Sequence, residues 1–351
     1  MQAFTSRQRI LAAIRFDDVD QVPVSPGGLG LLEPDSDEAR RLIKLTDPFI
    51  YAGCGDNTFF GAAVEITRQV QDRTYINIYH TPKGDLIERI HQGAYNLAHI
   101  EFPLKTPEDL QRFLSVPYSE PKIDLSDYHR WYNRVGEDAM VMVGIPNAIC
   151  LPATLLSPED FCFWWADYPE LIIELTKVAA ERLNPFVERL CQEGAEAFRI
   201  IGGEYATVML GPSAFDILCG EHDAELVEII HRYEAIAYYH NHGNVMDYLE
   251  RFSRIGMDVL DPLEAPPWGD VNLVEARRRL PDDVCFCGNL DDMEILDKLP
   301  KEEVQRIARE RLEAAGARGF MLGGTASGTF GPRAAENFIA MVEVAEEFGR
   351  G

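Results

Sequence analysis

The sequence predicts an α/β fold, a closed (βα)8 TIM barrel, and three observations point to it. From Ala139 onward, short apolar runs alternate with amphipathic helical stretches at the spacing of parallel βαβ units. The number of repeats suits a closed barrel better than an open doubly wound sheet. No Gly-x-Gly-x-x-Gly opens an early helix, which removes support for a dinucleotide domain. At 351 residues the chain is long enough for one large α/β domain. A single domain over residues 1–351 is expected, with an N-terminal extension and a β-hairpin insertion.

The elements follow in order. Thr5 to Arg15 has helical spacing in Ile10, Leu11 and Ile14, with Thr5 or Ser6 placed to cap it. Gln21 to Val24 reads as a short strand entering the loop Ser25-Pro-Gly-Gly-Leu-Gly30. Thr74 to Tyr79 and Asp85 to Ile90 are β-rich runs joined through the turn residues Thr81-Pro-Lys-Gly84, a hairpin. Thr106 to Leu114 is a short helix and Pro117 to Ser126 a linker. Strands are then expected at 139–144, 197–201, 235–242, 257–261, 284–287 and 319–322. Between and after them, helices are expected at 157–166, 169–193, 224–232, 245–255, 272–280, 301–315 and 336–348.

Composition narrows the partners. A formal net charge of -25 argues against a sequence-independent grip on nucleic acid and against an anionic membrane surface. Seven scattered cysteines without C-x-x-C pairs read as reduced thiols of a cytoplasmic protein. Met1 to Phe16 lacks the unbroken apolar core of a signal peptide, and no segment reaches the length of a membrane span.

In a barrel the residues just after each strand share one mouth, where chemistry is built. His240-Asn-His-Gly243 closes one strand, and side chains at i and i+2 on a strand point the same way. Glu204 follows the preceding strand through two glycines. Asp261 and Glu264 follow the next, in Asp261-Pro-Leu-Glu-Ala-Pro-Pro267, and Cys287 and Asn289 follow the one after. Imidazole, carboxylate and thiolate on adjacent tips are what an open zinc site requires, with a position left for substrate. The expected metal ligands are His240, His242 and Glu264, with Cys287 in reserve; zinc would lower the pKa of a bound thiol or water.

Structural alternatives stand beside these readings. Asp261 is read as a helix cap or arginine partner, as strand-end carboxylates often are. Glu204 is either an acid–base or substrate group or a salt-bridge partner. Cys285 is core filler. Trp164–Trp165 and Tyr238–Tyr239 are packing residues.

Three segments carry a resemblance: Thr5-Ser-Arg-Gln-Arg-Ile-Leu-Ala-Ala-Ile with Asp20-Gln-Val-Pro-Val24; His240-x-His-Gly-Asn-Val with Gly256-Met-Asp-Val-Leu-Asp-Pro-Leu263; and Cys287-Gly-Asn-Leu-Asp291. The chain resembles the uroporphyrinogen decarboxylase superfamily, which also contains zinc- and corrinoid-dependent methyltransferases. The resemblance implies a (βα)8 barrel with its site at the C-terminal mouth. It departs from the true decarboxylases, whose Arg-Gln-Ala-Gly-Arg segment after the first strand grips the tetrapyrrole carboxylates; Ser25 to Gly30 holds no basic residue. The decarboxylases' histidine near the last strand has no counterpart in Gly323 to Gly328.

The methyltransferase branch carries His-x-Cys where this chain has His240-x-His242, and a late cysteine where it offers Thr325, Ala326 or Ser327. The resemblance thus implies a metal-dependent methyltransferase passing a methyl group between a small methylated substrate and a corrinoid on a separate carrier protein, or a thiol or folate acceptor. Glu204 would act as acid–base or orienting group, Tyr205 and Asn289 would line the pocket, and a homodimer would follow the family tendency. A decarboxylase of a small carboxylate and a barrel that binds a corrinoid or tetrapyrrole without turnover are the alternatives.

Overall fold

The computed structural model describes residues 4–55, 59–93, 97–280, 282, 284–325 and 329–349. Eight parallel strands form one sheet: β1 (Val24–Ser25), β2 (Phe49–Ala52), β7 (Met140–Pro146), β8 (Ala197–Ile201), β9 (Ile236–His240), β10 (Val259–Asp261), β11 (Cys285–Leu290) and β12 (Phe320–Gly324). They lie in the order β1-β12-β11-β10-β9-β8-β7-β2. The ring closes where Gly27 bridges Phe49: the Gly28 amide donates to the Phe49 carbonyl at 2.9 Å and the Phe49 amide to the Pro26 carbonyl at 3.0 Å. The expected barrel is therefore the observed one.

Strands β3 (Glu65–Gln71), β4 (Thr74–His80), β5 (Leu86–Gln92) and β6 (Leu97–Glu101) form a separate antiparallel sheet inserted between β2 and β7. The hairpin read in the sequence is its central pair. β3 escaped notice because its side chains are largely exposed and polar, so no alternation marks it. Its turn to β4 places Asp72 and Arg73 at φ +46 and +62, a two-residue turn with both residues left-handed that lacks the usual Asn-Gly signature.

Alternation along the barrel strands sorts the core into two. Outward residues such as Phe198, Ile200, Tyr239 and Leu260 pack against the helices. Inward residues, among them Phe49, Met142, Ala197, Tyr238, Val259, Cys285 and Cys287, fill the barrel interior. The helix Ser6–Ile14 adds Ile10, Ala13 and Ile14 to that interior cluster and so plugs its floor. A capping box between Thr5 and Gln8 starts this helix.

Two buried polar groups brace the ring. Arg9 pairs with Asp20 at 2.7 Å and with Asp47 at 2.6 Å, and Asp47 also accepts from Ser6 Oγ and the Val24 amide, tying the plug to β1. Burial pushes the Asp47 carboxyl up even against the pull of Arg9. Behind β8 and β9, Asp223 accepts from the Tyr239 hydroxyl at 2.6 Å and from Asn147 Nδ2 at 3.0 Å. Burial, only partly offset by these donors, pushes the Asp223 carboxyl up to about 7.

Arg9→Ala leaves Asp47 buried without its cation and should cost about 3 kcal/mol in urea unfolding. Asp223 holds its proton in the folded chain between its ordinary value of 3.8 and about 7, whereas the unfolded chain does not. Its contribution therefore makes stability fall as pH rises through that window. Asp223→Asn keeps an acceptor for both donors, should flatten that slope, and should gain on the order of 1–4 kcal/mol over the parent above pH 7. Urea midpoints between pH 4.5 and 8 check it.

Candidate active site

His240 ends β9 on the inward face, two residues beyond Tyr238, and is 4% exposed. His242 follows in the loop, half-buried. Their rings stand nearly perpendicular, 4.5 Å between centroids, with Nε2 facing Nε2 at 2.9 Å. Each Nδ1 is turned onto a carboxylate. Asp261 lies beside His240 in the β9–β10 ladder, so both side chains enter the barrel, and His240 Nδ1 donates to Asp261 Oδ2. His242 Nδ1 donates to Glu264 Oε1 at 3.1 Å, while Glu264 Oε2 accepts the Gly243 amide at 2.7 Å.

This geometry sets a proton count. Both Nδ1 atoms carry a proton for their carboxylates, so one proton between the two Nε2 atoms gives the pair a single positive charge. Burial, reinforced by the charges of Arg199 and His242, lowers the His240 pKa despite Asp261. The hydrogen bond to Glu264 raises that of His242. These surroundings favour the neutral form at His240 and the charged form at His242.

Nδ1-to-carboxylate bonds are the arrangement that orients metal-ligating histidines. Two zinc–nitrogen bonds at the usual length and tetrahedral angle set the nitrogens about 3.3–3.4 Å apart, so the pair needs only slight opening. The other expected ligands are engaged elsewhere in this structure. Glu264 reaches His242 from behind, with both oxygens engaged. Cys287 lies in the barrel interior against the Tyr238 hydroxyl, where burial pushes its thiol far up and disfavours thiolate. Among the described residues no three His, Cys, Asp or Glu donors group as a metal site. Thr325 is buried, and Ala326 and Ser327 lie outside the described residues. Asp261, expected to cap a helix or meet an arginine, orients His240 instead, because the ladder register puts it there.

Glu204 opens the short helix Glu204–Thr207 after β8. The two preceding glycines allow the chain to pass close by: a Cβ on Gly202 would meet Asn147 Oδ1 at 2.3 Å, and one on Gly203 would meet Asn241 Oδ1 at 2.3 Å. Glu204 Oε2 is buried without a hydrogen-bond partner, and its charge acts on His242, Cys150 and Tyr205. No salt bridge engages it among the described residues. Burial pushes the Tyr205 hydroxyl up to about 12. Asn289 donates to the Leu263 carbonyl at 2.9 Å and keeps a buried Oδ1 without a partner. It lines a cavity of about 440 Å³ with Glu264, Pro266, Trp268, Arg311 and Thr325.

The sequence reading passed over Arg199. It alternates with Ala197 and Ile201 on β8 and so faces the barrel interior, where its guanidinium lies 4.9 Å from the Tyr51 ring centroid. A charged residue in phase with the inward positions was the available signal.

Comparisons with known proteins bear on this arrangement. The uroporphyrinogen decarboxylase (URO-D) family model matches residues 93–348. Among solved structures, the chain is similar to a methyltransferase from Methanosarcina mazei, at 16% identity and a TM-score of 0.67, over 98% of this chain and 99% of that one. It also aligns with a B12-independent methionine synthase from Shewanella sp. W3-18-1, at 13% identity and a TM-score of 0.42, over 82% of this chain and 76% of that one. No curated protein matches it. The structural likenesses are likenesses of fold, whereas the family model spans well over half of the chain. On that match, the chain belongs to the uroporphyrinogen decarboxylase family.

Proposed function

We propose that this chain is a metal-dependent methyltransferase acting on a small methylated substrate. The observation that carries the reading is the histidine pair, two Nε2 atoms converging while each Nδ1 is held by its own carboxylate. His240 and His242 would hold a divalent ion such as zinc, and Glu204, with its unpartnered buried oxygen, is the candidate proton acceptor. When bound, the ion supplies positive charge that favours the deprotonated form of a thiol or water.

The chain's own residues do the rest. Asp261 and Glu264 fix the ring orientations. The cavity beside Glu264 is roomy enough for a small organic molecule. In transfer to a thiol, the S–C bond forms as the donor–methyl bond breaks and the donor keeps the electron pair. The thiol proton leaves beforehand, and Glu204 would take it. A corrinoid on a carrier protein is the alternative acceptor or donor, meeting the substrate at the barrel mouth. The methyltransferase from Methanosarcina mazei, alike in fold end to end, accords with this branch. Arg199 favours a second reading, decarboxylation of a small carboxylate, which carbon dioxide release would reveal.

The bridging proton and the ion compete for one place, so zinc added to chelator-treated protein near pH 7 should release about one proton per ion, read with an indicator dye. Protein purified without chelator should carry close to one divalent ion per chain. His242→Ala should lose it, and Asp261→Ala should bind it 10–100-fold more weakly. Substoichiometric metal unaffected by His242→Ala overturns the metal reading.

A further inference from the structure

We infer that the barrel mouth contains an anion-binding subsite, built from Arg199 and the open space over Gly144, that takes the carboxylate of a small organic acid. The inference rests on the proposed function in one respect only: it supplies the class of substrate for the same mouth.

Three observations meet here. First, Arg199 projects inward in phase with Ala197, and its charge is felt at His240. Its Nε is buried without a hydrogen-bond partner, and among the described residues no carboxylate pairs with it. Among the described residues the Tyr51 ring is its one aromatic contact. Guanidinium groups withdrawn from water are ordinarily matched by an anion, and their planar fork suits a carboxylate.

Second, Gly144 lies beside Arg199 in the β7–β8 ladder and is the exposed position of an otherwise buried strand. A Cβ placed on it would meet nothing within 4 Å. A glycine inside a strand commonly marks the close approach of something other than protein. Here it leaves room directly alongside the unpaired guanidinium.

Third, the register sets a length. Arg199 is level with Tyr238, and His240 lies two residues further along β9. That is a rise of roughly 6–7 Å toward the mouth. An acid seated on Arg199 would present to the histidine pair an atom three to five bonds from its carboxyl carbon. Asp261 and Glu264 do not compete for Arg199, because both are turned onto the histidines.

The test reads binding without turnover, so its outcome is independent of whether methyl transfer is ever observed. Butanoate and 4-methoxybenzoate are titrated calorimetrically into chelator-treated protein, with butanamide and 4-methoxybenzamide as neutral counterparts. The acids should bind at least tenfold more tightly than the amides, and Arg199→Gln should erase that preference while Arg199→Lys restores part of it. Gly144→Val, whose Cβ meets no neighbour within 4 Å and no left-handed backbone, should weaken the acids at least tenfold with its melting temperature within a few degrees of the parent. Acids and amides bound alike, no binding of either acid, or full acid affinity in Arg199→Gln overturns the inference.

Discussion

A parallel sheet closed into a ring directs every second side chain toward one axis, and the site depends on that constraint. Phase along each strand decides which residues meet. His240, Asp261 and Arg199 come from three strands and face one interior because each stands in phase with the inward residues below it. Moving β9 by one residue would put Tyr239 inside and His240 against the helices. Closure also removes the sheet's free edges, leaving the bridge at Gly27 and Phe49 to join first strand to second.

Within that frame, two carboxylates convert two weakly basic rings into one oriented unit. Asp261 and Glu264 fix which nitrogen of each ring faces outward and which faces the other ring. Only one proton is then left to be shared. Burial lowers the pKa of His240 while the hydrogen bond to Glu264 raises that of His242, so two chemically identical residues are pushed in opposite directions by their surroundings. Glu204 stands apart from this pairing, with an oxygen that nothing in the described chain satisfies.

Much of this was readable before any coordinates. The helix–strand alternation after Ala139 returns almost element by element, and Ala197–Ile201 and Lys301–Ala315 agree to the residue. His240-x-His242 announced a shared face. What stayed hidden was contact between strands. Whether a strand-end carboxylate caps a helix, meets a metal or braces an imidazole depends on its neighbour in the ladder, which a single chain does not display; the imidazole partners of Asp261 and Glu264 are illegible in the sequence for that reason. Cys287 has the right chemistry at a depth where thiolate is disfavoured. β2 is only four residues, mostly buried, with no alternation to reveal it. Arg199 is legible by its phase with the inward residue Ala197, though nothing local in the sequence marks it as unpaired.

The sealed floor has a bearing on traffic. Ile10, Ala13 and Ile14 pack into the interior cluster, so side chains fill the floor of the ring and the mouth is the side left for a ligand. Anything that reaches the level of Arg199 has already passed the histidines, and it must retrace that route to escape. For the proposed acid, occupancy would therefore be ordered: the deepest guest would arrive first and depart last, and a large partner lidding the rim would trap it until the partner withdraws.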